Sequence, residues 1–407
     1  MRIIILPLSL TILLSAAIRS PDFRFEEHMI DPGASETVAV TDINKDGRLD
    51  IVSGDAWYEA PSWKKHPLRE INFSGNYVDN FTDIATDVDG DGYVDIVQFG
   101  YFSKNIVWLK NPGKSSGAWK VSEIDASGPT EFAFAVDLTN SGSARDLLPE
   151  FDRPECPLAW FENVKGNWVK HVVSQRSYGH GIGVGDVNGD GRNDILTPHG
   201  WLEAPADPRA SQMWTFHEAD WDQHYIAPSG SAESGTQAAS AAQGGHRDRE
   251  RFGRMYVLDI NKDGRPDILT TMAHDYGLCW FEQGEGGRWT QHVIDNAWSQ
   301  AHASLLVDLN GDGQPELVTG KRYMAHNGND PGEREPLGVY WYEFRKDAKG
   351  VIEWIRHIIS YSGRMGGGMQ IAVVDIDGDG DLDVVSGGKS GLFLAENVTN
   401  SSTPRKK

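Results

Sequence analysis

The chain has 407 residues, of which 39% are hydrophobic and 24% charged, ordinary globular values that exclude collagenous and polytopic membrane classes. Its formal net charge is −21, from 59 acidic and 38 basic residues, so it is a poor holder of nucleic acid phosphates. Two Cys exclude a disulfide scaffold and a Cys-rich zinc module.

Residues 1–17 read as an export signal. Arg2 is followed by a nearly unbroken apolar run and the small residues Ser15, Ala16 and Ala17. The run is too short for a comfortable membrane span, and no later segment could make one. The expected product is a secreted or periplasmic monomer, folded over residues 22–398, with a disordered polar tail at 399–407.

A lone strand, Phe25-Glu-Glu-His-Met-Ile30, comes first. An acidic loop then recurs: Asp42-Ile-Asn-Lys-Asp-Gly-Arg-Leu-Asp50, with copies at 87–95, 186–194, 259–267, 308–316 and 375–383, and a degraded copy at 137–146. First Asp residues are spaced 45, 50, 49, 73, 49 and 67 apart, so a unit of about 48 residues carries two insertions. Each loop lies between apolar strands. A third strand follows with Trp57-Tyr-Glu, Trp108-Leu-Lys, Trp160-Phe-Glu, Trp201-Leu-Glu, Trp280-Phe-Glu, Trp341-Tyr-Glu or Phe393-Leu-Ala-Glu. A fourth carries His66, His171, His217, His292 or His357. Four strands repeated seven times predict an all-β, seven-bladed β-propeller of four-stranded blades, closed by the N-terminal strand completing the last blade.

The loop pattern Asp-x-(Asn/Asp)-x-Asp-Gly-x-x-Asp before an apolar strand resembles the FG-GAP/VCBS repeat family. That resemblance implies a calcium-dependent, usually extracellular propeller. The same repeats occur in integrin-like adhesion modules, lectin-like modules and sugar-acting lyases, so the fold leaves function open.

Alternate oxygens at positions one, three, five and nine can converge on one hard cation, with Gly at six making the sharp turn. The predicted calcium ligands are Asp42, Asn44, Asp46 and Asp50; Asp87, Asp89, Asp91 and Asp95; Asp186, Asn188, Asp190 and Asp194; Asp259, Asn261, Asp263 and Asp267; Asp308, Asn310, Asp312 and Glu316; and Asp375, Asp377, Asp379 and Asp383. Four of these twenty-four positions hold Asn and twenty a carboxylate. Six structural calcium ions would bring the net charge from −21 to −9. The 137–146 copy has Thr139 and Ser141 at positions three and five and should bind no metal.

The opposite face collects residues that differ between units. Asp79, Glu131, His180, His302 and Gln370 enter first strands there, and His199, His274, Tyr276, Lys321, Arg322, His326 and Lys389 follow second strands. The insertions at 227–251 and 323–338 map to the same face and read as a lid or pocket wall. A pocket lined by His180, His199, His274, His302, His326 and Lys389 is expected. The outermost-strand His series, His28, His66, His171, His217, His292 and His357, reads as packing. Cys156 and Cys279 should be too far apart to pair and read as buried small side chains.

Three functional readings remain open. One is a module binding a carbohydrate or another extracellular ligand. Another is a sugar lyase or keto-sugar dehydratase, with His180 or His302 as base, Tyr276 protonating the leaving group, and Lys321 and Arg322 neutralising an enolate-like intermediate. Zinc held by His180, His199, His274 and His302 is a variant of it. An adhesion scaffold is the third.

Overall fold

The computed structural model describes residues 23–115, 117–210, 212–219, 221 and 252–400. The expected signal at 1–17, the insertion at 227–251 and the tail beyond residue 400 lie outside the described residues. The chain is an all-β propeller, with a single 3-10 turn at Glu285–Gly287 and no α-helix among the described residues.

Each sequence repeat folds into a four-strand antiparallel meander. The first unit comprises Ala39–Thr41, Asp50–Ser53, Ala56–Glu59 and Lys64–Pro67; the second, Thr82–Thr86, Asp95–Phe99, Ile106–Lys110 and Lys120–Asp125; the third, Thr130–Val136, Asp146–Phe151, Leu158–Val164 and Asn167–Ser174. The fourth comprises Ile182–Gly185, Asp194–Thr197, Gly200–Glu203 and Thr215–Glu218; the fifth, Phe252–Leu258, Asp267–Met272, Tyr276–Gln283 and Trp289–Ser299; the sixth, Ala303–Val307, Glu316–Gly320, Gly338–Lys346 and Ile352–Tyr361. The last has Ile371–Val374, Asp383–Gly388 and Gly391–Asn397, completed by Phe25–Asp31 from the other end of the chain, with Glu27 opposite Ala395.

The expectation of seven separate blades needs correction. Five units stand as separate four-stranded sheets, whereas the fourth and fifth form one eight-stranded sheet. They join where Ile182–Gly185 pairs in parallel with Phe252–Leu258. The physical reason lies in the sequence Gly181-Ile-Gly-Val-Gly185. A Cβ on Gly183 would lie 2.0 Å from the Met255 carbonyl oxygen, and one on Gly185 would lie 2.5 Å from the Val257 Cβ. Without side chains there, two innermost strands that would be kept apart approach within main-chain hydrogen-bonding range.

Second strands are the most buried, as in Asp50–Ser53 and Asp194–Thr197, where every residue is buried. That is why they read as short β-branched runs without alternation. The outer two strands are locked by a recurring triad. Trp57, Trp160, Trp201, Trp280 and Trp341 sit opposite His66, His171, His217, His292 and His357. Ring centroids in these stacks are 3.8–4.3 Å apart. Each imidazole Nε2 also reaches the Glu two residues beyond its Trp: Glu59, Glu162, Glu203, Glu282 or Glu343, at 2.7–3.2 Å. Stacking and one hydrogen bond thus account for the Trp-x-Glu…His pattern. Cys156 and Cys279 are buried free thiols.

The acidic loops are tied to their sheets by the ninth-position carboxylate. Asp50 accepts from the Ile43 and Ala60 amides, and Asp95 from Val88 and Asn111. The same pair of bonds recurs at Asp194, Asp267 and Asp383. The first-position carboxylate caps the turn, as where Asp42 accepts from the Asp46 and Gly47 amides. In the degraded copy Asp137 caps Ser141, Gly142 and Ser143 in the same way. That loop keeps its shape with the hydroxyls of Thr139 and Ser141 where the others carry Asn or Asp.

Candidate functional site

One register of the repeat builds the site. Six residues before the first Asp of each loop stand Glu36, Phe81, Glu131, His180, Gly253, His302 and Met369. This places them at one level of the innermost strands, at the end of the propeller axis remote from the acidic loops. Contacts between units bring them together there. Arg322, which follows a second strand, crosses the axis and makes two hydrogen bonds to Glu36, at 2.7 and 3.1 Å. It donates a third to Glu131 at 3.2 Å and lies 5.5 Å from the Phe81 ring centroid. Lys389 also donates to Glu36, at 3.1 Å. Burial would raise the Glu36 carboxyl, but the attraction of Arg322 and Lys389 outweighs it and holds the group at about 2.

Beside this ion cluster lie three imidazoles. His180 and His302 are fully buried and His274 nearly so. His180 Nδ1–H donates to the Phe252 carbonyl at 3.0 Å, beside the close approach of Gly181, where a Cβ would lie 2.7 Å from the Phe252 Cβ. Its Nε2 faces Glu131 Oε2 at 2.9 Å and His274 Nε2 at 2.8 Å. His274 Nδ1 faces Asp330 Oδ2 at 2.8 Å, and the same oxygen meets His326 Nδ1 at 2.8 Å. The His326 ring lies on the His274 ring, 4.3 Å away and 6° from parallel. Neither nitrogen of His302 has a hydrogen-bond partner; Glu131 Oε1 is 3.9 Å from its Nε2.

Burial and the neighbouring charges divide the three rings. Burial, then His180 beside it, pushes His274 down to about 3. Burial, then Arg322, pushes His302 well below its usual range. His180 is driven the other way: burial disfavours its charge, but Glu131 overrides this and raises it to about 10. Glu131 thus favours the charged form of His180, while burial disfavours it in His274 and His302. Burial lowers Lys321 to about 8; its ammonium donates to the Ser299 carbonyl at 3.3 Å and hydroxyl at 2.8 Å.

Residues 323–338 close over the cluster. Tyr77 donates to the Ala325 carbonyl at 2.5 Å, Tyr276 donates to Glu335, and the His326 amide donates to Glu333. Of the residues expected to line one pocket, His180, His274, His302 and His326 come together and Lys389 joins through Glu36. His199 does not join them: its backbone is engaged by Thr197 and Ala219 at the edge of the fourth unit. Arg322 is committed to two carboxylates, and Tyr276 lies against Glu335. Glu36, Asp330 and Glu333 were not singled out from sequence, and Glu131 was noted only for its face.

Among the described residues, four groups of side chains have potential ligand atoms within 4.8 Å of one another: Glu131, His180, His274 and His302; His274, His326 and Asp330; Asp87, Asp89 and Asp95; and Asp375, Asp377 and Asp383. A separate groove of about 850 Å³ runs along the outer strand of the first unit, lined by Trp57, His66, Arg69, Asn111 and Trp119 among others. Trp57 and His66 there belong to the repeated packing triad, so this groove follows from blade architecture.

Residues 259–319 match the FG-GAP-like repeat. Human integrin alpha-IIb is 30% identical over 160 residues, 35% of this chain and 14% of the integrin; the chain thus spans a small part of that relative's length. The fold is similar to BBS1N, solved in complex with ARL6DN, with a TM-score of 0.52 and 9% identity over 96% of this chain and 99% of that one. A lectin from Agrocybe aegerita that recognises terminal N-acetylglucosamine gives a TM-score of 0.43 and 16% identity over 80% of each chain. No helix among the described residues is long and apolar enough to cross a membrane.

Proposed function

We propose that the chain is an exported propeller that binds a carbohydrate or another oxygen-rich extracellular ligand at the axial end roofed by residues 323–338. The observation that carries this reading is the concentration of buried charge there. Glu36, Glu131, Lys321, Arg322 and three His gather at one level, where apolar side chains would pack the axis at lower cost. Half-buried His326 and the partly exposed Tyr276 stand at the edge of this cluster. The FG-GAP-like match and the integrin stretch support an extracellular setting.

Calcium in the acidic loops belongs to the same reading. Burial raises the ninth-position carboxyls of Asp95, Asp194 and Asp267 to about 6 and that of Asp383 to about 7, a cost that a divalent cation would offset. The Asp87–Asp89–Asp95 and Asp375–Asp377–Asp383 groups already bring three carboxylates together.

A glycan screen with calcium tests the reading, followed by titration of the best ligand into His326→Ala and Tyr276→Phe. Binding weakened at least tenfold in both variants supports it. Tight binding indifferent to both changes puts the ligand elsewhere and overturns the site. A second reading, β-elimination on a keto-sugar or uronate, is favoured by His302, a buried imidazole whose charged form burial and Arg322 disfavour. It requires new ultraviolet absorbance from unsaturated product, and no absorbance across uronate polysaccharides and keto-sugars rejects it.

A further inference from the structure

We infer that Glu131, His180, His274 and His302 form a binding site for one divalent transition-metal ion, with Asp330 positioning His274. A carbonyl oxygen only accepts, so His180 donates to Phe252 through Nδ1–H, and its remaining nitrogen, Nε2, points into the cluster. Asp330 takes the Nδ1–H of His274 in the same way, so the Nε2 of His274 also points inward. Three acceptors, two Nε2 atoms and Glu131 Oε2, thus lie 2.8–2.9 Å apart along two edges. They repel unless something positive lies between them.

A single proton serves one such contact and leaves His302 with two unpartnered nitrogens in a fully buried position. One metal ion answers all four side chains at once. Metal–nitrogen bonds of about 2.1 Å at right angles set neighbouring donors about 3.0 Å apart, whereas a tetrahedral angle sets them about 3.4 Å apart. The observed edges match the right-angled case. Three imidazoles and a carboxylate suit zinc, cobalt, nickel or iron, and six-coordination keeps positions for water or a ligand oxygen. The surroundings fit as well: each inward-facing nitrogen of His180 and His274 belongs to a ring oriented by an oxygen acceptor on its other side. Asp330 lies in the segment roofing the site and also holds His326, so metal loading and the seating of residues 323–338 share one carboxylate.

The site stands on its own geometry, so a chain that binds glycan but no zinc would leave the functional reading intact while removing this one. The test is calorimetric titration of Zn²⁺ into the chelator-stripped full chain, re-equilibrated in millimolar calcium so that the acidic loops are filled. One zinc per chain is expected. His302→Gln and Glu131→Gln should each weaken binding at least tenfold, and His217→Gln, in a packing triad, should not change it. Asp330→Asn should weaken zinc by about 10–100-fold, as loss of an orienting carboxylate does. Should the ligand variants fail to fold, the wild-type chain decides with a second metal: one Co²⁺ retained per chain over millimolar calcium and displaced by Zn²⁺ supports the site, and no Co²⁺ retained refutes it. No zinc binding over calcium, or equal affinity in His302→Gln and Glu131→Gln, overturns the inference.

Discussion

Arg322→Met removes the cation that crosses the axis while keeping an unbranched chain of similar reach. In the wild type, Arg322 is 1% exposed and serves Glu36 and Glu131, whose side chains are 2% and 5% exposed. Its loss leaves Glu131 to His180 and Glu36 to Lys389 alone. Breaking a buried pair from one side costs about 3–5 kcal/mol. With an unfolding entropy of about 2.1 cal/mol/K per residue, a chain of 407 residues loses roughly 4–6 °C in Tm for that cost. Differential scanning calorimetry in calcium measures it. Adding Glu36→Gln removes one of the stranded charges, so the double variant should regain part of the loss. An Arg322→Met variant with the wild-type Tm, or a double variant whose losses simply add, would refute the view that these groups are mutually compensating buried charges.

Three further outcomes follow from the same geometry. Glu36 titrates lower in the fold than in the unfolded chain, so its contribution, on the order of 3 kcal/mol, is complete above about pH 4.5 and disappears as pH falls toward about 2; Glu36→Gln should flatten stability across that acid window, and an unchanged slope denies the ion pair. Asp190→Ala should lower the Tm in calcium and have little effect in chelator, and an equal loss in both removes calcium from that loop. Gly183→Ala sets a methyl 2.0 Å from the Met255 carbonyl and should cost about 1–3 kcal/mol by urea denaturation; a neutral result means that the parallel junction is not needed for stability.

Much of the architecture is legible because the repeat is written in residue types with a single job. Asp and Gly at fixed loop positions mark the turn between the first two strands, and Trp-x-Glu with a later His marks the outer pair. The junction between the fourth and fifth units escaped because glycine in a strand signals only that something approaches closely, without saying what. The site was half legible. Counting back six residues from each loop finds Glu36, Glu131, His180 and His302 together, since a propeller places equivalent positions at one level of its axis. His274 and Asp330 obey no such register. They come from connections whose path is set by packing, and only the fold shows that Asp330 turns His274 toward His180. His199 had the right residue type and the right face, but its backbone is tied to the rim.

The strand Phe25–Asp31 is the earliest described element of the chain, and its partner, Gly391–Asn397, is nearly the last. During synthesis at about 5–20 residues per second, it waits some tens of seconds for a mate. A waiting strand is an open edge that could recruit another chain. Glu26 and Glu27, both exposed in the finished sheet, give it charge during that interval. The same arrangement makes the ring a lock whose last tumbler falls only when the far end arrives. The cost of bringing the two ends together is met once, and afterwards neither end can fray without opening the circle.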